Sequence, residues 1–569
     1  MTKRIRSMSL TIAITGVVGA SSSLTGCVPS EDDASDAALS MRLVAGDPAG
    51  GQREGDGAPP QVVTRLGVVR GVRGGDHVDR FLGVPYAKPP VGDLRFKKPV
   101  PAGRWRGVLD ATAERPACSQ LPSTDSVKIV NEDCLHINIY RPAAPHRGRL
   151  PVLFHIHGGG FTGGTANNHD GGKIASTDGM VVVMVEYRLN AFGFLAVPEL
   201  SAEAAAQGGA ASSGNFGIFD QQLALRWVHD NIAAFGGDPD NVTISGQSAG
   251  GWSVCDHIVA PGSAGLFHRA IEMSGDCTAI PLAQAEAAGA AFAANRLGCG
   301  DPATRLACLR GKTAEQILDA TSGQSGLVSQ ASFSAGSDLF SAPPKDLIAA
   351  GTFNKVPVML GTVHEEFAFI AYLIAGASVT DQASFEAYVD QRFPDRAQAI
   401  KAVYRVDDFP SPLAAVVAVD ADAAPLIPIG GCRQPPLTRL FAAHTDTFWY
   451  EFNDRTMPIQ LNLATGQPAL TPPEGVELAY HAGDLKYTVG FDTIAPLSAQ
   501  QRALSDEIIR YWGAFAHTGN PAVRGQASWP RYKAGPNGKW VSFELPRSVT
   551  RIDQEFADDH HCEIWNAPP

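Results

Sequence analysis

From about residue 62 onward, short apolar runs recur along the chain: Val62 to Thr64, Val152 to His155, Val181 to Glu186, Val242 to Ser245, Ala270 to Met273 and Val356 to Leu360. Runs this short, apolar at nearly every position, predict strands buried on both faces. Between many of them lie stretches with helical character. Phe219 to Phe235 places Leu223, Leu225, Trp227, Val228, Ile232 and Phe235 at an imperfect helical spacing. It stops at Gly236-Gly237-Asp238-Pro239, a strong breaker. The Ala-rich segment Leu282 to Leu297 predicts another helix. Buried strands separated by helices imply an α/β fold, with a large, mostly parallel sheet covered on both faces. No internal repeat is visible, and no linker divides residues 61–567.

The first sixty residues break this pattern. Lys3, Arg4 and Arg6 precede a short apolar stretch that begins at Met8. It is too short to span a bilayer and has the layout of a cleaved signal peptide. It ends in Leu24-Thr25-Gly26-Cys27, which resembles the bacterial lipobox, in which the Cys becomes the lipidated first residue. The alternative is a plain secretory signal with an incidental Cys. The expectation is therefore a lipoprotein signal over residues 1–26, with lipidation at Cys27. Residues 27–60 are rich in Asp, Ala, Gly, Ser and Pro, which suits a flexible tether. The protein is expected on a bacterial membrane surface, exported and anchored only through Cys27, with secretion as the alternative.

Composition narrows the function. The 569 residues are 44% hydrophobic and 18% charged, ordinary globular material. The net charge is −12, and Lys and Arg form no basic patch. A nucleic-acid partner is therefore not expected, because phosphate contacts need clustered cations. Nine Cys are present, eight of them beyond Cys27: Cys118, Cys134, Cys255, Cys277, Cys299, Cys308, Cys432 and Cys562. An even number in an exported chain favours disulfides, with on the order of a hundred connectivities open. Cys118–Cys134 and Cys299–Cys308 are the natural local pairs; the alternative is buried thiols. No two Cys stand at metal-ligand spacing, so no metal site is expected.

Chemistry concentrates in two segments. Val242-Thr243-Ile244-Ser245 leads into Gly246-Gln247-Ser248-Ala249-Gly250, the G-x-S-x-G pattern, followed by a helix-compatible stretch. A serine on a sharp strand-to-helix turn stands exposed above the sheet, and flanking glycines permit the turn. The helix start favours developing negative charge. Ser248 is thus the candidate nucleophile. The second segment is His157-Gly158-Gly159-Gly160-Phe161, after the apolar run that begins at Pro151. Consecutive glycines let backbone N–H groups approach a substrate oxygen, so Gly159, Gly160 and Ala249 are the expected oxyanion hole. Gly158, Gly160 and Gly163 also imitate a dinucleotide-binding fingerprint, with Glu186 somewhat over 20 residues downstream. That reading needs a helix where Thr165 to Gly172 reads as a loop. The chain has 15 His, and composition selects none as the base.

Several further motifs occur in order. They are Phe81 to Pro90, Glu132 to Tyr140, Gly214-Asn215-Phe216-Gly217 with Asp220-Gln221, and Phe235 to Pro239. With these, residues 61–567 resemble the type-B carboxylesterase/cholinesterase family of α/β-hydrolases, whose insertions form an active-site gorge. The resemblance implies a carboxylesterase that works without a cofactor. It places the acid at Glu366, within Gly361 to Glu366, and the base at His481, within His481 to Leu485. Ser248, Glu366 and His481 then follow the chain order of this fold. His155, His157, His364, His560 and His561 are left structural. The resemblance also implies an Arg95–Glu132 ion pair and the disulfides Cys118–Cys134, Cys299–Cys308 and Cys432–Cys562. Cys255 and Cys277 remain, and are expected to pair.

Two positions depart from the family. Gln247 stands where Glu is usual, which removes a negative charge near His481 and disfavours cationic substrates. Phe367 stands where Gly is usual. Phe161, Gln247, Trp252 and Phe340 are candidate substrate-binding residues; for the three aromatics, core packing is the alternative. The expected partner is a small-molecule ester. The rival functions are a lipase or amidase of the same fold, and an inactive cholinesterase-like adhesion module. Modules of that kind typically lose triad residues, which this chain keeps.

Overall fold

A computed structural model describes residues 59–566, apart from 124–125, 145, 324–333, 367–370, 372–377, 426–428 and 463–476. The chain separates into two units, Met1–Gly57 and Ala58–Pro569. Cys27, the signal segment and nearly all of the tether therefore lie outside the described residues, as does Phe367.

Sixteen strands are seen among the described residues. β1 (Gln61–Val63), β2 (Val68–Arg70) and β5 (Val108–Asp110) form a small sheet of their own. β11 (Ile280–Pro281) and β12 (Ser334–Ala335) pair separately. The other eleven make the central sheet. In chain order they are β3 (Val72–Arg73), β4 (Val78–Pro85), β6 (His136–Pro142), β7 (Leu150–Ile156), β8 (Val181–Val185), β9 (Gly237–Gln247), β10 (Arg269–Met273), β13 (Val358–Val363), β14 (Thr447–Phe452), β15 (Lys539–Phe543) and β16 (Val549–Ile552). Their spatial order is β16-β15-β14-β13-β10-β9-β7-β8-β6-β4-β3. Pairing is parallel from β15 through to β8 and antiparallel at both ends. The interior is thus the parallel sheet that the apolar runs imply.

Alternation along the strands feeds two cores. Val242 and Ile244 of β9 join Trp227 and Val228 of α1 (Phe216–Asn231) and Ile258 of α2 (Ala249–Val259) in one cluster. On the other face, Phe448 and Tyr450 of β14 meet Leu504, Ile508 and Trp512 of α3 (Ala499–Thr518). Trp449, between them in sequence, belongs to the first cluster. Full burial of such side chains contributes about 2 kcal/mol each, so the two layers fix strand register as well as stability.

Most strand boundaries differ from expectation by a residue or two, and three shifts have a visible cause. The helix expected from Phe219 begins at Phe216, and its last turn, Ile232–Phe235, is a 3-10 turn ending on Gly236 at φ +86°. β9 starts at Gly237 because that residue pairs with Leu150 before the register jumps to Val152↔Val242. Gly237 to Asn241 therefore sits in the ladder as an irregularity, where the sequence shows only a breaker. The run from Val356 becomes strand only at Val358, after Pro357, which has no N–H for a ladder. The Leu282–Leu297 helix has the expected bounds. All four disulfides pair as expected, Cys255–Cys277 included, with Cα atoms 5.0 to 5.7 Å apart.

Candidate active site

β9 carries its backbone straight into the turn that holds Ser248. That residue has φ +59° and ψ −122°, a conformation L-residues rarely adopt. Its N–H donates to the Met273 carbonyl at 2.9 Å, and its own carbonyl accepts from Trp252 at 3.0 Å. β10 on one side and the first turn of α2 on the other thus impose the strain. The sequence permits it because Gly250 has no side chain: a Cβ there would lie 2.0 Å from the Ile156 carbonyl oxygen of β7. The Ala249 N–H begins α2, where a helix leaves its amides without internal partners.

The glycine loop after β7 abuts this turn. A Cβ on Gly158 would lie 3.1 Å from Ser248 Cβ. Gly159 has φ +106°, and Thr162 and Gly163 donate back to its carbonyl at 3.1 and 3.0 Å. Gln120 clamps the far side of the loop: its Oε1 accepts from Gly164 N at 2.9 Å, and its Nε2 donates to Gly164 O at 3.0 Å. The Tyr187 hydroxyl donates to the His157 carbonyl at 2.8 Å. Neither residue is legible as part of the site from sequence, since each reaches the loop through tertiary contact. The dinucleotide alternative fails structurally: the glycines lead into a short 3-10 turn, Ala166–Asn168, and a helix starts only at Gly172, nine residues after Gly163. Glu186 is fully buried and accepts from the Thr165 hydroxyl and from Ala166 N, 2.8 Å away. It closes the loop. Burial, only partly offset by those hydrogen bonds, pushes its carboxyl up to about 7.

Glu366 and His481 come from two separate loops that are zipped together. Glu365 N donates to Ala479 O at 3.0 Å, and Glu365 Oε2 accepts from Ala479 N at 2.8 Å. Glu365 is thus a buried splint rather than a surface group. Beside it, Glu366 Oε1 accepts from Thr362 Oγ1 and Val363 N, both at 3.0 Å. Glu366 Oε2 accepts from His481 Nδ1. With Nδ1 carrying the proton, Nε2 faces the turn and accepts from the Gln247 side-chain amide at 3.2 Å. Gln247 is the residue before Ser248, so the imidazole and its carboxylate lie beside the turn that carries Ser248. Arg95 and Glu132 are ion-paired as expected, Nε to Oε1 at 2.7 Å, and Arg95 Nη1 also binds the carbonyls of Arg310 and Lys312.

The other histidines have different surroundings. His155 bonds Ser245 Oγ at 3.0 Å, and burial pushes its ring down to about 3. Burial likewise pushes His157 down to about 4. Both stay neutral. His364, Asp559 and His560 alone among the described residues bring donor atoms within metal-ligand spacing, 4.8 Å. Their imidazoles are already committed: His560 bonds Asp422 and Glu451 at 2.5 and 2.6 Å, His364 bonds Asp559 at 3.0 Å, and Arg455 lies 3.0 Å from His364 Nδ1. This is an ion-pair cluster. Phe161 and Trp252 lie 6.4 Å apart, and both share the β9-side core with Phe340. All three are buried packing residues.

The carboxylesterase family model matches residues 58–565. The chain belongs to the carboxylesterase family. Two relatives are the cocaine esterase of Oryctolagus cuniculus and the acetylcholinesterase of Bungarus fasciatus. The first is 33% identical over 517 residues, covering 84% of this chain and 91% of that protein. The second is 32% identical over 553 residues, covering 89% and 86%. Among solved structures, PNB esterase superposes with a TM-score of 0.69 at 30% identity, covering 88% of this chain and all of that one. This carboxylesterase therefore has the esterase α/β-hydrolase fold and hydrolyses carboxylic esters. Within the family fold its turn, glycine loop and His481–Glu366 pair occupy the carboxyl ends of the parallel strands, where open α/β sheets hold their sites.

Proposed function

We propose that ester hydrolysis proceeds through an acyl-enzyme on Ser248, with His481 as base and Glu366 as the acid of the triad. The observation that carries this is the His481 ring, bound to Glu366 through Nδ1 while Nε2 turns toward the Ser248 turn. His481 takes the serine proton as Ser248 attacks the ester carbonyl. Glu366, itself held by Thr362 and Val363, fixes the ring tautomer and favours the imidazolium. The amides of Gly159, Gly160 and Ala249 receive the oxyanion, a contribution of roughly 3 kcal/mol per donor in typical enzymes. His481 returns the proton to the leaving alcohol. Water, activated by the same ring, then cleaves the acyl-enzyme.

A fluorophosphonate probe should label Ser248 and no other serine. Ser248→Ala should lower kcat on the order of 10⁴-fold or more. Undiminished hydrolysis by that variant would rule out the assignment. A series of p-nitrophenyl esters of increasing chain length separates a carboxylesterase preference from a lipase-like one.

The chain is further proposed to be exported and lipid-anchored at Cys27. Four disulfides support an oxidising compartment. Metabolic labelling with an alkyne fatty acid should mark the wild type and not Cys27→Ala; equal labelling of both would rule out Cys27 as the anchor, and an unlabelled wild type would leave only secretion.

A further inference from the structure

The strand that anchors the nucleophile carries a carboxyl that the mechanism does not use. Glu272 lies on β10, opposite Gly246 of β9 and Leu360 of β13. The next residue, Met273, is the one whose carbonyl holds the Ser248 N–H. The Glu272 side chain is 1% exposed, and neither oxygen has a hydrogen-bond partner of normal geometry among the described residues. Its position is fixed from two sides. A Cβ on Gly251, in the first turn of α2, would lie 3.2 Å from Glu272 Oε1; a Cβ on Gly275 would lie 2.3 Å from it. The carboxyl is therefore wedged under the start of the helix whose first amide, Ala249, is the proposed oxyanion donor. A larger residue at 251 or 275 would occupy its place.

We propose that Glu272 is a titrating positioning residue of the acyl-transfer site: as a neutral acid it supports the nucleophile turn, and its ionisation withdraws that support and ends catalysis on the alkaline side. This rests on the reading of Ser248 as the nucleophile. The physical cause is competition. A carboxylate formed beneath the first turn of α2 neutralises the positive end of that helix, which the oxyanion needs. It also adds a like charge near Glu366. Ionisation sends the carboxyl proton to solvent hydroxide and leaves the negative charge buried, with only the Gly275 amide and the charge of Lys345 to favour it.

The surroundings keep the acid neutral at ordinary pH. Burial is the largest influence, followed by the charge of Asp276; Glu366 adds to both, and together they push Glu272 up to about 8. The Gly275 amide and Lys345 act in the opposite direction. Lys345 is already ion-paired to Asp276 at 2.7 Å, which limits its help. Across the sheet, Tyr450 faces both Glu272 and Asp484, and burial followed by Glu366 pushes Asp484 up to about 7. The triad acid thus has two further buried carboxyls in its field.

The test compares full-length wild type with Glu272→Gln, a neutral isostere. An activated aryl acetate is followed at the isosbestic wavelength of its phenol and corrected for spontaneous hydrolysis. Wild-type kcat should fall above about pH 8 with KM little changed. In Glu272→Gln the ratio of kcat at about pH 9 to kcat at about pH 6.5 should be at least about fivefold higher than in wild type. Glu272→Met, apolar and of similar volume, serves the same comparison if the amide variant does not fold. A second readout needs no substrate. The folded group titrates at about 8 against an ordinary value of 4.5, so wild type should lose stability across that window relative to either variant. An alkaline limb identical in wild type and variants, or a wild type with no alkaline fall, overturns the proposal. If Ser248→Ala stays active, the nucleophile reading fails, while the pH-dependent unfolding comparison still reports whether Glu272 titrates.

Discussion

Gln247 stands where the family pattern that the sequence resembles has Glu, and the geometry gives the amide a role. A neutral amide donates to His481 Nε2 at 3.2 Å, at the nitrogen that must take the serine proton. A carboxylate there has no N–H to donate, and would instead place a negative charge within the site. Gln247→Glu is therefore expected to raise kcat/KM for a quaternary-ammonium ester, relative to its neutral carbon isostere, by about tenfold, or about 1.4 kcal/mol. An unchanged ratio would show that substrate charge is not sensed at this position. Residues of this kind were unequally legible. Ser248 could be read because a strand, two glycines and a helix start are all local signals. Glu366 and His481 were not readable from the chain alone. Sequence places them 118 and 233 residues from the serine, and only resemblance selected them. Glu272 and Gln120 left no trace, because a buried acid and a loop clamp are defined by what packs against them.

At the scale of elements, close approach explains what pattern alone could not. β7, β9 and α2 meet where the Gly250 Cα faces the Ile156 carbonyl, and a Cβ would lie 2.0 Å from that backbone oxygen. Backbone cannot swing aside as a side chain can, so Gly250→Ala should displace the start of α2. A loss of about 3 kcal/mol or more is expected, together with most of the esterase activity. A variant with the wild-type unfolding midpoint and turnover would mean that α2 slides at little cost. The same crowding accounts for the strands that periodicity missed. β14, Thr-Phe-Trp-Tyr-Glu-Phe, is buried at all six positions, so it shows no alternation, although its residues feed both cores in turn. β4 and β6 are antiparallel members at one end of the sheet, and their mixed composition hid them inside motifs. The expected Val356 start failed on a single missing N–H at Pro357.

For the whole molecule, the C-terminal segment closes the catalytic unit, and two devices hold it there. Cys432–Cys562 spans 130 residues of sequence, and closing so long a loop stabilises by up to about 5 kcal/mol in the chain-entropy model. The double variant Cys432→Ser with Cys562→Ser should lose about 2–5 kcal/mol by denaturant unfolding; no loss would mean that the second device suffices. That device is electrostatic. His560, wholly buried, bridges Asp422 and Glu451, and His364, two residues before Glu366, bonds Asp559 of the same C-terminal segment. Burial opposes charge on His364, yet Glu365 and Glu451 outweigh it and push the ring up to about 9. A group whose folded value is raised from 6.5 gives its full stabilisation below 6.5 and loses it as pH rises through about 9. Between about pH 8 and 9.5, as the His364 ring loses its proton in the folded protein, wild-type thermal stability should therefore keep falling. His364→Gln cannot titrate, so it should start less stable and show a flatter slope in that window. Equal slopes would mean that the clasp on the catalytic-acid loop is not carried by the charge of His364.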